Sequence, residues 1–211
     1  MTSRRPDAVF AKIARRYDLV NRALSLGREQ AWRRSVIDRL PPGRLLDLGA
    51  GTGAAGPLYG DRYVIALDPV SQMLALNGLR TKVVGMGEAL PFSDGAFDAV
   101  FSAYVFRNLD SVAATLAEIS RVLQPGGVAG IVDLGRPRNE LAAAIHRAAS
   151  AVVVPLAGAL AGAVAEYRYL NRSLDKLPPP EQLFMDSPLR IRELWRMGPL
   201  GFVYGAILTK T

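Results

Sequence analysis

Apolar residues recur along this chain with two different periods. Between residues 8 and 24, Val9, Phe10, Ile13, Tyr17 and Val20 fall mostly three or four positions apart, the spacing that gathers one face of an α-helix. Trp32, Val36 and Leu40 continue that rhythm as far as Pro41-Pro42-Gly43, which predicts a helix stop. From residue 44 the texture changes to short apolar runs: RLLDLG (44–49), YVIALD (63–68), KVVG (82–85), FDAVFS (97–102) and GVAGIVD (127–133). Such runs, bounded by turn formers, predict buried strands. Helical stretches lie between them. One begins at Ser111, a good N-cap, and passes through Val112, Leu116, Ile119 and Leu123 to a stop at Pro125-Gly126-Gly127. Alternating strands and helices predict a mostly parallel, doubly wound α/β sheet with helices on both faces. Ligands in such sheets bind at the carboxyl ends of the strands, where the strand order reverses.

Residues 136–180 break the alternation. From Ala148 to Ala165 no residue is charged, but the run is mostly Ala, Gly and Val with Pro155 inside. Its length sits at the lower limit for a membrane span, and its small side chains favour a buried or membrane-facing helical hairpin instead. The C-terminal FVYGAILTK reads as a final strand, with little room for another between Gly198 and Tyr204. One domain accounts for the length: an N-terminal helical lid (1–43), a ligand-binding core (44–135), a helical insertion (136–180) and a C-terminal helix and strand (181–211).

Composition removes several classes of chemistry. The chain has no cysteine and a single histidine, His146, so disulfides, thiolate metal sites and cysteine nucleophiles are excluded. No carboxylates cluster in sequence, and no metal site is expected. The first residues, MTSRRPDAVF, are basic without an apolar core, which fits a cytoplasmic protein rather than an exported one. The net charge of +7 resides in residues 1–44, which hold eleven Arg/Lys against four Asp/Glu. A basic face at one end suits an anionic lipid surface, a nucleic acid or an acidic substrate, or else is a solvated helix face. No nucleic-acid recognition module and no basic-aromatic stripe accompanies it, so nucleic acid is the weaker reading.

LLDLGAGTGAAG (45–56) carries the first chemical signal. Gly51-Thr-Gly53-Ala-Ala-Gly56 satisfies a dinucleotide fingerprint, but Gly49, Gly51 and Gly53 follow the strand directly, with Asp47 two residues before its end. A carboxylate there is awkward beside a pyrophosphate and comfortable near a cationic ligand without phosphate. S-adenosylmethionine has a sulfonium, an ammonium and no phosphate. Asp68 ends the next strand, where a carboxylate can accept both ribose hydroxyls. The plainer alternative makes Asp47 and Asp68 strand-end turn formers.

At this point a resemblance becomes visible. LLDLGAGTG, ALDPVSQML, GEALPFSDGAFDAVFSAYVFRNL and RVLQPGG resemble the class I S-adenosylmethionine-dependent methyltransferases, a Rossmann-like fold. FAKIARRYDLVNRALSLGREQAWRR, the FRN at 106–108 and VVPLAGALAGAVAEYRYLNRSLDKLP resemble, more narrowly, the ubiquinone/menaquinone-biosynthesis C-methyltransferases. The resemblance implies cofactor contacts from Gly49, Gly51, Thr52 and Gly53, and a ribose held by Asp68. It also implies adenine contacts from Met73, Met86 and Gly87, and Ser102 and Ala103 near the methionine moiety. Two positions depart from the pattern. Met86 stands where an Asp or Asn is usual, so an acceptor for the adenine amino group is missing unless the backbone or Glu88 supplies it, at a cost of about 1 kcal/mol. Ala103 stands where a serine is common.

The implied reaction methylates a ring carbon of a polyprenyl quinol, most directly demethylmenaquinol to menaquinol. It needs help in removing a phenolic proton whose pKa is about 10. Arg107 follows the fourth strand and stays protonated, so it suits stabilising a phenolate and orienting a water rather than acting as the base; the bland alternative is a surface ion pair with Asp110. Asn108 could bind a quinol oxygen and Tyr17 could cover the site. His146 lies on the insertion and reads as incidental. A bilayer-borne acceptor implies peripheral contact with an anionic membrane surface at its inner face, and a homodimer is compatible with the sequence. Other readings remain open on these residues: a methyltransferase of another lipid or small molecule, a methyltransferase-fold binding protein without activity, and a nicotinamide oxidoreductase.

Overall fold

The computed structural model describes residues 25, 27–137, 139–141, 143–149, 151 and 177–211. The helix expected at 8–24 with its Tyr17, and most of the uncharged 148–165 run, lie outside them. Helix α1 (Glu29–Ile37) precedes β1 (Arg44–Leu48), β2 (Tyr63–Asp68), the short α2 (Ser71–Leu74), β3 (Thr81–Val84), β4 (Phe97–Ala103), α3 (Val112–Val122) and β5 (Leu123–Leu134). A short α4 (Pro180–Leu183) then leads to β6 (Arg190–Met197) and β7 (Val203–Thr209). The seven strands form one sheet in the order β3-β2-β1-β4-β5-β7-β6. Strands β1 to β5 run parallel, whereas β7 is antiparallel to both β5 and β6.

Four of the five expected strands in the core start and stop within a residue of their sequence reading; β5 is longer and takes in Pro125-Gly126-Gly127. The C-terminal edge differs more. A sixth strand does exist, but it lies before Gly198 rather than after it. Its sequence, RIRELWRM, interleaves charge with apolar residues because this strand forms the partly exposed margin of the sheet.

Each strand sends alternate side chains to opposite faces. In β1, Leu45 joins a core with Trp32, Val36 and Ile37 of α1, while Leu46 and Leu48 join a core with Leu116 and Ile119 of α3. Helix α1 can approach the sheet because Gly130 of β5 has no side chain; a Cβ there would lie 2.7 Å from a Val36 methyl. Arg62 closes the C-terminal side of α1, donating to the carbonyls of Leu40 at 2.9 Å and Pro41 at 3.1 Å. Ser111 caps α3 as its sequence predicts, its Oγ accepting from the Ala114 N–H at 3.2 Å. Among the described residues, no helix is long and apolar enough to cross a membrane.

Candidate active site

The chain leaves β1 toward β2 and β3 on one side, then crosses to β4 on the other. The strand order therefore reverses between β1 and β4, and a cleft of about 390 Å³ opens at their carboxyl ends. Its floor is the loop that follows β1. Gly49 adopts a φ of +72°, and a Cβ there would lie 2.2 Å from a Val105 methyl, so the turn out of the strand requires glycine. Asp68, at the end of β2, shapes the same loop. One of its oxygens accepts from the Gly51 N–H at 2.9 Å and the other from Val70 N–H at 2.8 Å. Burial raises the Asp68 carboxyl above the usual range, and these two backbone donors oppose that rise. Each oxygen keeps a further lone pair for a ligand hydroxyl.

Asp47 shares its face of β1 with Leu45 and is fully buried from solvent except through the cleft it lines. Burial pushes its carboxyl up to about 7; the Tyr59 hydroxyl and then the Arg33 guanidinium pull it down, and Asp68 adds a small further rise. Its Oδ2 has no hydrogen-bond partner. The far end of the cleft is formed by Met73, Met86 and Gly87 beyond β2 and β3, and the near end by Ala103, Tyr104 and Asn108 beyond β4. Tyr104 has a φ of +63°, a rare backbone state for a bulky residue, and its N–H donates to the Val132 carbonyl at 2.8 Å.

Most of the residues singled out in the sequence meet here. Asp47, Gly49, Gly51, Thr52, Asp68, Met73, Met86, Gly87, Ala103 and Asn108 all line the cleft. Three others are placed differently. Gly53 lies just outside, where its φ of +84° and the Asn77 amide, 2.6 Å from any added Cβ, give it a packing role. Ser102 points to the α3 side of the sheet and bonds the Leu48 carbonyl at 3.1 Å, away from the ligand space. Arg107 neither lines this cleft nor pairs with Asp110 at the surface. It is buried and donates to Asp133 of β5 at 3.0 Å. That carboxylate also accepts from the N–H groups of Phe106 and Leu134, at 2.8 and 2.7 Å. Glu88 borders the cleft, but one of its oxygens already accepts from the N–H groups of Asp110 and Ser111. His146 stacks on Phe202 with ring centroids 5.1 Å apart and is not part of the cleft.

The reading from sequence missed Arg33, Tyr59 and Tyr104. Arg33 sits in a run of basic residues that resembles a solvated face, yet it is only 6% exposed. Tyr59 and Tyr104 fall in irregular segments, where no periodicity announces which side chain turns inward. Among the described residues, no group of His, Asp and Glu side chains could hold a metal ion.

The ubiE/COQ5 methyltransferase family model matches residues 1–187. The chain belongs to the ubiE/COQ5 methyltransferase family. The methyltransferase is 37% identical over 191 residues to the demethylmenaquinone methyltransferase of Thermus thermophilus, a match covering 83% of this chain and 87% of that one. It is also 37% identical over 199 residues to the ubiquinone/menaquinone biosynthesis C-methyltransferase UbiE of Methylobacterium nodulans, covering 83% and 78% of the two chains. A solved S-adenosylmethionine-dependent methyltransferase from Thermotoga maritima shares the fold with a TM-score of 0.69 at 18% identity, over 97% of this chain and 99% of that one. As a member of this family the methyltransferase uses S-adenosylmethionine, and its cleft suits that cofactor. Its volume is within the usual range for a small ligand, the Asp68 oxygens keep acceptor capacity at the end of β2, and the unpartnered Asp47 oxygen suits a cation.

Proposed function

We propose that this methyltransferase methylates a ring carbon of a polyprenyl quinol, converting demethylmenaquinol to menaquinol. The identity to the Thermus demethylmenaquinone methyltransferase over most of both chains carries this reading. The cofactor supplies an electrophilic methyl group on a sulfonium. The acceptor carbon becomes nucleophilic when its neighbouring hydroxyl loses a proton; the new carbon–carbon bond forms as the methyl leaves sulfur, and the ring proton is then lost to restore aromaticity. In this scheme Asn108, which lines the near end of the cleft, binds a quinol oxygen; its Nδ2 donates to the Tyr104 carbonyl at 3.3 Å. Arg107 acts in this scheme as a positioning residue. Its buried bond to Asp133 fixes the 3-10 turn Phe106–Asn108 that presents Asn108. Asp47 and the loop after β1 hold the donor.

A lipid acceptor requires access to the bilayer. Two observations support peripheral contact with an anionic surface. Leu141 and Ile145, four positions apart in the helical residues near 140–149, are 71% and 50% exposed. The excess of basic residues also lies within residues 1–44. Purified protein incubated with methyl-labelled S-adenosylmethionine and short-tailed demethylmenaquinol under reducing conditions should give ring-labelled menaquinol by mass spectrometry. Label transferred only to a benzoquinol would move the substrate assignment, and no label on either ring would remove it.

A further inference from the structure

Arg33 is a buried cation that the scheme above does not use. It projects from α1 into the cleft near β1 and β4, and is 6% exposed. Its guanidinium carbon lies over the Tyr104 ring, 5.1 Å from the centroid, within reach of a cation–π contact. Its Nη1 is inaccessible to solvent and has no hydrogen-bond partner. A guanidinium carries five N–H donors in a planar fork, and leaving one buried and unpaired is costly. Two carboxylates lie near enough to matter. Glu29, one turn earlier on α1, accepts from the Ser25 hydroxyl. Asp47 attracts Arg33 through space, but burial raises its carboxyl to about 7, so near neutrality it is only partly charged.

The direction of the cleft identifies what Arg33 faces. Asp68, Met86 and Gly87 place the nucleoside of S-adenosylmethionine toward β2 and β3. The amino-acid portion then extends toward β1 and β4, where Arg33 and Tyr104 are. That portion holds a sulfonium and an ammonium, which a guanidinium repels, and one carboxylate, which it binds bidentately. We propose that Arg33, held over the Tyr104 ring, anchors the carboxylate of the S-adenosylmethionine amino-acid portion and so sets where the methyl group points. This rests on S-adenosylmethionine being the donor.

Calorimetric titration tests the inference without turnover, using S-adenosylhomocysteine, which has the carboxylate, and 5′-methylthioadenosine, which lacks the amino-acid portion. In Arg33→Ala, affinity for S-adenosylhomocysteine should fall roughly ten- to a hundredfold, as expected for a charge-assisted hydrogen-bonded pair. Affinity for 5′-methylthioadenosine should stay within about twofold. Equal losses for both ligands would show a structural role and overturn the inference, as would no loss for either. Wild-type protein that binds neither ligand would overturn the donor assignment and this inference with it. Should the alanine variant fail to fold, two arms remain. Arg33→Lys keeps the cation and should retain part of the preference. Wild-type protein should bind S-adenosylmethionine at least tenfold tighter than its decarboxylated analogue; equal affinity for the two would overturn the inference by itself.

Discussion

Arg33 and Arg107 are both buried at the carboxyl edge of the sheet, on opposite faces, and their surroundings give them opposite tasks. Arg107 is paired: its guanidinium and the Asp133 carboxylate are both shielded from solvent and bonded at 3.0 Å. Removing one partner of such a pair leaves an uncompensated buried charge and costs about 3–5 kcal/mol. Arg107→Ala should therefore lower the free energy of unfolding by that amount in urea titrations and reduce turnover. Arg107→Met combined with Asp133→Asn removes both charges while keeping an acceptor for the Phe106 and Leu134 N–H groups, and should recover part of the stability. In Arg107→Ala, a loss of turnover without a loss of stability would return Arg107 to the reacting atoms. Asp47 offers a second test at this scale. Its carboxyl titrates near 7 in the folded protein against an ordinary value of 3.8. The folded state thus binds more protons than the unfolded state between those values, and stability falls as pH rises through that window, levelling off above it. The melting temperature of the ligand-free protein should drop between pH 5 and about 7.5, and Asp47→Asn should flatten that slope. None of this was visible in sequence. Arg107 and Asp133 are far apart in the chain, and a lone aspartate beside glycines does not state its burial.

At the scale of elements, local chemistry and periodicity were enough in some places and silent in others. Ser111 announced its helix, because a serine before an apolar repeat satisfies an otherwise orphaned N–H. Ser111→Ala should destabilise the protein by about 1 kcal/mol, measured by chemical denaturation, with little change in cofactor affinity. Buried parallel strands were legible because both of their faces pack, giving nearly continuous apolar runs. Strand β6 was not, since it lies at the sheet margin and its Glu193 pairs with Arg39, in the turn after α1, while half-exposed, leaving charge within the strand. The glycine loop was legible as a ligand site. Its exact lining was not: Gly53 and Ser102 share the motif's neighbourhood, yet both turn to packing and backbone contacts.

For the molecule as a whole, a basic N-terminal portion, an exposed Leu141–Ile145 pair and a lipid-like acceptor belong to one hypothesis. Protein should co-sediment with vesicles containing anionic phosphatidylglycerol and release them as salt rises, and Leu141→Ser with Ile145→Ser should weaken that binding several-fold. Binding that ignored both salt and these substitutions would count against a bilayer-facing surface here. The direction of the last strand carries a practical consequence. Because β7 is antiparallel to β5, Val203 lies opposite Leu134 beside the cleft, whereas Thr209 lies opposite Val128 at the other end of the sheet. Lys210 is fastened there by reciprocal backbone bonds with Gly126 and Gly127. A fluorescent dye, resin linker or affinity handle joined after Thr211 would therefore hang from the pole remote from the donor loop. Immobilised through that point, the enzyme would present its open mouth outward to suspended substrate.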